Sequence, residues 1–178
     1  VRLTPLLAAF LVLSTLAFAW VALGAMISAL GLGLLLSGNR GPVQLPGLRK
    51  LRTRTALLFH VYHESPAQVA GTIQALSLEL AKRDHAASLD VFVLSDSQQA
   101  DAIDEEHRIY RALVQRLRGV VAVYYRRRPQ NVGKKSGNIQ EWIERFGGGY
   151  DHFIILDADS VMSAELVVRL AAAMEDNP

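Results

Sequence analysis

The 178-residue sequence contains no cysteine. That excludes a disulfide framework, a thiolate nucleophile and any zinc site built from cysteine. Acidic residues are missing from its first 63 positions, with Glu64 the first, and no side chain from Leu6 to Leu36 ionises at all. Net charge is equally scarce, at +2 from 19 Lys and Arg against 17 Asp and Glu. So small a surplus gives no electrostatic footprint for nucleic acid, and none is expected as a partner. Sequence repeats are also absent. What remains is 51% hydrophobic and 20% charged, too apolar for a disordered tail and too charged for a wholly membrane protein. The uneven placement of the apolar residues makes the chain two materials joined end to end.

The run from Leu6 to Leu36 is 31 residues long, whereas a bilayer core takes about 20 helical residues and a signal peptide only about 7–15 apolar ones. Residues 1–37 therefore read as a transmembrane helix in a lipid bilayer. The surplus goes into tilt, a kink or a helical end outside the hydrocarbon. Gly24, Ser28 and Gly31 form a small-residue stripe at helical spacing, which lets further transmembrane helices approach. Only Arg2 precedes the run, while Arg40, Arg49, Lys50, Arg52 and Arg54 follow it. The positive-inside rule then puts the C-terminal side in the cytoplasm. Residues 38–54, rich in Gly and Pro at their start, read as a linker. Val1 is no natural initiator and Pro178 follows directly on a helix, so the sequence is expected to be a piece of a longer protein.

From Thr55 to Pro178, strand-like apolar runs alternate with amphipathic ones. Strands are expected at 55–62, 89–94, 120–125 and 153–156, and helices from Pro66 to about Lys82, 101–117, 138–146 and 164–174. Ser65-Pro66-Ala67-Gln68 has the form of a capping box with proline at the first helical position. Continuous apolar strands joined through helices imply a mainly parallel α/β sheet covered on both faces. In such sheets ligands bind beyond the carboxyl ends of the strands. The residues there are His63 and Glu64, Asp96, Arg126 to Arg128, and Asp157 with Asp159.

Ile154-Ile155-Leu156-Asp157-Ala158-Asp159 carries two carboxylates just past a buried strand. In extended chain alternate residues point the same way, so both can face one hard cation, Mg²⁺ or Mn²⁺, which bridges carboxylate to phosphate. A strand end with a helix cap is the structural alternative. Asp96 either caps the next helix or hydrogen-bonds a nucleotide. Arg126 to Asn138 packs five cations among turn residues; ahead of a helix start this suggests a diphosphate cradle. Its spacing does not match a P-loop. The five histidines show no metal-ligand spacing.

Thr55 to Glu64, Leu94-Ser-Asp96-Ser97, Lys135-Ser-Gly-Asn138 and Leu156-Asp-Ala-Asp-Ser160 occur in the order seen in processive family 2 glycosyltransferases, and nearly all of 55–178 resembles them. The resemblance implies an incomplete GT-A fold and inverting transfer of glucose from UDP-glucose to a growing β-1,2-linked periplasmic glucan. The enzyme would be a multi-pass protein of the bacterial inner membrane with its catalytic domain in the cytoplasm. By position, Glu64 and Asp96 would serve the donor, with Asp96 on the uridine. Lys135 and Asn138 would lie at the diphosphate, Asp157 at the ribose and sugar, and Asp159 with Asp157 at the metal. His60 and His63 depart from the family's Pro and Asn. The third carboxylate, the general base, and the Gln-x-x-Arg-Trp motif are absent, so the piece is expected to be inactive alone. Two other readings remain. Asp157-Ala-Asp159 also fits the Asp-x-Asp of haloacid-dehalogenase phosphohydrolases, and a membrane-anchored nucleotide-sugar-binding subunit needs no base.

Overall fold

Helix α1, Pro5–Leu36, starts where Thr4 in extended backbone accepts a bond from the Leu7 amide at 3.3 Å. Pro5 takes the first turn, where its missing N–H has no intrahelical partner to lose. This computed structural model describes residues 4–38 and 45–177. Arg2, Arg40, the rest of 39–44 and Pro178 fall outside the described residues. None of α1 is buried, and its 32 residues make it long and apolar enough to cross a bilayer. At 1.5 Å per residue it spans about 48 Å, against about 30 Å of hydrocarbon. Thr15 and Ser28 donate their hydroxyls back to the carbonyls of Leu11 and Gly24, at 2.7 and 2.9 Å. Hydroxyls bonded within the helix are inexpensive to carry in lipid.

Residues 45–177 form a separate unit. Its order is β1 (Thr55–Val61), α2 (Pro66–Lys82), β2 (Leu89–Ser95), α3 (Ala100–Arg116), β3 (Ala122–Arg127), α4 (Lys134–Phe146), β4 (His152–Asp157) and α5 (Ala164–Asp176). The four strands are all parallel, in the order β3-β2-β1-β4. The α/β class expected from the alternation is the one observed. Leu57, Phe59 and Val61 face α2, α3 and α5, while Ala56, Leu58, Phe92 and Leu94 face Trp142 of α4.

Coverage of both faces holds only at the centre. The inner strands β1 and β2 are buried almost throughout, but β3 and β4 alternate, and Phe153 and Ile155 are 38% and 42% exposed. Both lie at the sheet edge on the α4 side, where one 13-residue helix covers only the middle strands. The capping box does not form as expected: Ser65 is the N-cap, yet its hydroxyl makes no capping bond. The basic stretch is also divided differently. Arg126 and Arg127 complete β3, and α4 begins at Lys134 instead of Asn138.

The segment 45–54, assigned above to a linker, lies along α5. Arg169 donates to the carbonyls of Pro46 and Leu45 at 2.9 and 3.3 Å. Glu175 takes the Arg52 and Thr53 amides at 2.6 and 2.8 Å, the Thr53 hydroxyl at 2.9 Å and Arg49 at 2.6 Å. Burial works against its charge, but these backbone, hydroxyl and guanidinium donors hold its pKa down to about 2. A carboxylate depressed by folding contributes fully above its unfolded pKa and loses that contribution as pH falls through its folded one. The gap in Tm between the wild type and Glu175→Gln should therefore be widest near neutral pH and close as pH falls from about 4.5 to 2. A gap independent of pH in thermal melts would contradict the clamp.

Candidate functional site

The carboxyl ends of the strands converge on the α4 side. Asp96 follows β2 directly, and its amide donates to the Val61 carbonyl at 2.9 Å, which keeps the chain in the plane of the sheet for one residue more. Its side chain is fully buried. One oxygen accepts from Arg128 Nε and, at 3.0 Å, from Asn138 Nδ2. The other accepts from Arg128 Nη2 at 3.0 Å and lies 2.9 Å from His60 Nε2. Burial opposes ionisation, but the Arg128 guanidinium and the His60 ring hold the carboxyl below the usual range. Asp96 is not a helix cap, since α3 begins four residues later behind Gln99. It is the hub of a buried, doubly hydrogen-bonded ion pair.

Arg128 organises the loop on its other side. Its guanidinium donates to the carbonyls of Val132 at 2.8 Å and Lys134 at 2.6 Å, and to Asn131 Oδ1 at 3.1 Å. The chain reverses through left-handed backbone at Gly133 and Lys134, with φ of 67° and 51°. It passes so close to the first turn of α4 that a Cβ on Gly137 would sit 2.1 Å from the Val132 carbonyl oxygen. That contact explains the glycine in Lys135-Ser136-Gly137-Asn138. Asn138, fully buried, accepts from Arg126 at 2.9 Å while donating to Asp96, so one amide joins the ends of β2 and β3.

Lys135, one residue into α4, reaches Asp157 at the end of β4 and forms an ion pair with it. The structure thus brings together two residues that the sequence separates by 22 positions. The extended-chain expectation for Asp157 and Asp159 does not hold. The strand ends at Asp157, and the Ser160 amide bonds back to the Asp157 carbonyl at 2.9 Å, so Asp159 sits in a tight turn. Both carboxylates are exposed. Among the described residues no three His, Cys, Asp or Glu side chains gather as a complete metal site. Glu64 turns back onto the amides of Tyr62 and His63 at 2.7 and 3.2 Å; burial opposes its charge, and these amides lower its pKa.

Asp96, Arg126 to Arg128 and Asp157 stand at or just past strand ends as read from the sequence, while the buried cluster adds His60 and a specific pairing of Arg128 that the sequence did not indicate. His60 does leave a trace, as a ring that can carry charge within a strand that is otherwise apolar after Thr55. Gly137 offers a direct check on the loop. Gly137→Ala should destabilise the unit by about 1–3 kcal/mol through overpacking, while Gly148→Ala, with nothing within 4 Å of its added Cβ, should leave Tm nearly unchanged. Equal melting of the two variants would contradict the close approach.

No family model matches the chain. It is 42% identical over 172 residues to the glucans biosynthesis glucosyltransferase H of Xylella fastidiosa, covering 94% of this chain and 27% of that protein. It is 39% identical over 177 residues to the same-named protein of Vibrio cholerae, covering 99% and 24%, and 41% identical over 181 residues to that of Rhodopseudomonas palustris, covering 98% and 24%. The chain spans about a quarter of the length of these curated relatives. Among solved structures, a mannosyltransferase from Pyrobaculum calidifontis in complex with GDP-mannose and Mn²⁺ shares the fold. The TM-score is 0.56 at 17% identity, over 91% of this chain and 44% of that one.

Proposed function

We propose, on the premise that this chain is a homologue of the glucans biosynthesis glucosyltransferases H over nearly all of its length, that it is the donor-binding portion of an inverting, family 2 glucosyltransferase. The donor is UDP-glucose and the acceptor a growing β-1,2-linked glucan. The observation that carries this reading is the convergence of the Lys135–Asp157 pair and the Asp96–Arg128–Asn138 cluster at the carboxyl ends of four parallel strands. The haloacid-dehalogenase reading of Asp157 and Asp159 is disfavoured by the glucosyltransferase relatives.

The residues divide the work by charge and exposure. Lys135 is partly exposed and paired with an exposed carboxylate, so its ammonium is free to take a diphosphate in place of Asp157. The uridine end meets the Asp96 cluster. Asp96 has both oxygens engaged and serves by fixing Arg128 and Asn138 more than by offering a free oxygen. Glu64 shapes the loop after β1. Asp157 and Asp159 supply hard oxygen ligands suited to Mg²⁺ or Mn²⁺, which needs further oxygens from diphosphate and water. When bound, that cation supplies Lewis-acid stabilisation of the negative charge on departing UDP. The general base and the acceptor-holding residues belong to the remainder of the longer protein. In this reading α1 is one span of a multi-pass inner-membrane protein, with residues 45–177 in the cytoplasm.

Calorimetric titration tests the donor site on the chain itself. The wild type should bind UDP-glucose with Mn²⁺ present and far more weakly without it, and Asp159→Ala should lose at least about tenfold in affinity, the equivalent of one charge-assisted contact. Metal-independent or absent binding would overturn the assignment. Binding without any turnover in the full-length protein would favour the non-catalytic subunit instead. Deleting residues 1–37 should move the protein from the membrane fraction to the soluble fraction; retention on membranes would contradict the anchoring role of α1.

A further inference from the structure

Behind the Asp96–Arg128 pair, on the opposite face of the sheet, lies a second buried carboxylate. Glu106 of α3 is 3% exposed. Its oxygens accept from three hydroxyls: Ser95 at 2.6 Å, Ser97 at 2.5 Å and Tyr125 at 2.8 Å. A buried carboxylate partnered only by neutral hydroxyls is an expensive way to fill space that a leucine would fill better. What it holds gives the reason. Ser95 and Ser97 flank Asp96, and the alternation of extended chain sends their hydroxyls to the α3 side and the Asp96 carboxyl to the α4 side. Tyr125 adjoins Arg126, whose side chain meets Asn138. The Ser97 amide also donates to the Ser95 hydroxyl at 3.2 Å, closing the turn around Asp96. One carboxylate therefore pins the end of β2, the end of β3 and the start of the β2–α3 loop to a single helix.

We infer that Glu106 is a positioning residue for the donor site, setting where Asp96, and through it Arg128 and Asn138, stand relative to the nucleotide. It touches no ligand in this scheme and acts only through the two serines and Tyr125. The inference rests on the donor-site reading above for its functional consequence, but not for the geometry it asserts.

Gln at 106 is the discriminating substitution. The Ser97 hydroxyl has a second acceptor at hand, the Tyr62 carbonyl at 3.1 Å. A glutamine can keep its oxygen for Ser95 and Tyr125 and donate its amide to the Ser97 oxygen, whose own proton turns to Tyr62. Every hydroxyl proton in the network then still has an acceptor. Alanine leaves the Ser95 and Tyr125 hydroxyls without one.

The experiment uses the 178-residue chain in detergent micelles, with UDP-glucose and Mn²⁺ as the probe. Glu106→Ala should weaken binding on the order of tenfold and Glu106→Gln by no more than about twofold. In an Asp96→Ala background, Glu106→Ala should add almost nothing, because the group it positions is gone. The ¹⁵N resonance of Arg128 Nε, which reports the bond to Asp96, should move in Glu106→Ala and stay in place in Glu106→Gln, with or without nucleotide. Ser95→Ala and Ser97→Ala, each removing one donor, should shift that resonance by part of the same amount and supply the readout if Glu106→Ala does not fold. Wild-type affinity in Glu106→Ala, full additivity with Asp96→Ala, or an unmoved Arg128 resonance would overturn the inference. Absence of binding by the wild type, with the Arg128 resonance still responding, would instead overturn the donor-site reading and leave the positioning intact.

Discussion

Two opposite charges taken out of water, Asp96 and Arg128, set the conditions under which the carboxyl end of this sheet can be built. Removing either leaves the other buried and unpaired, which costs about 3–5 kcal/mol in comparable pairs. The loop from Arg128 to Lys134 must therefore pass where the guanidinium can spend its remaining donors on backbone carbonyls. That path forces the left-handed turn at Gly133 and Lys134 and the contact that only glycine permits at 137. Once the loop is placed, the first turn of α4 is placed with it, and so are Asn138 and Lys135. A single ion pair thus propagates into the position of nearly every polar group at the site.

The two faces of the sheet divide the labour around this pair. On one, α4 supplies the groups that face solvent and can exchange partners, Lys135 with Asp157 above all. On the other, α3 supplies a carboxylate that is buried and fully engaged. Buried, fully bonded support behind a more exposed polar face is the kind of arrangement that precise binding sites require. Here it is achieved with a three-residue stretch, Ser95 to Ser97, whose alternating side chains belong to different layers.

Much of this was legible in the sequence, and the limits are instructive. The continuous apolar runs mark strands of a covered sheet, and β1 and β2, buried almost throughout, prove to be the central pair. The edge strands carry similar apolar runs, but which strand stands at an edge is a matter of topology, so the exposure of Phe153 and Ile155 could not be read. The motif residues Asp96, Lys135, Asn138 and Asp157 all stand at strand ends or in the adjoining helical turn. Their partners were hidden for a simple reason: Asp96 draws His60 from 36 positions away and Arg128 from 32, distances at which local spacing carries no signal. The tight turn at Asp157 was missed because its extended neighbours suggest that the strand continues.

The segment ahead of β1 is clamped by Glu175, whose bonds to Thr53 span 122 residues of chain. During synthesis the two ends of that clamp emerge far apart in time. At about 5–20 residues per second, residues 49–53 wait on the order of ten seconds for their partner. The clamp thus closes late in the synthesis of residues 45–177, after α1 has had that interval to find its own surroundings. A charge placed at the far end of α5 makes the arrival of that helix, and not the synthesis of β1, the event that fixes the strand's approach.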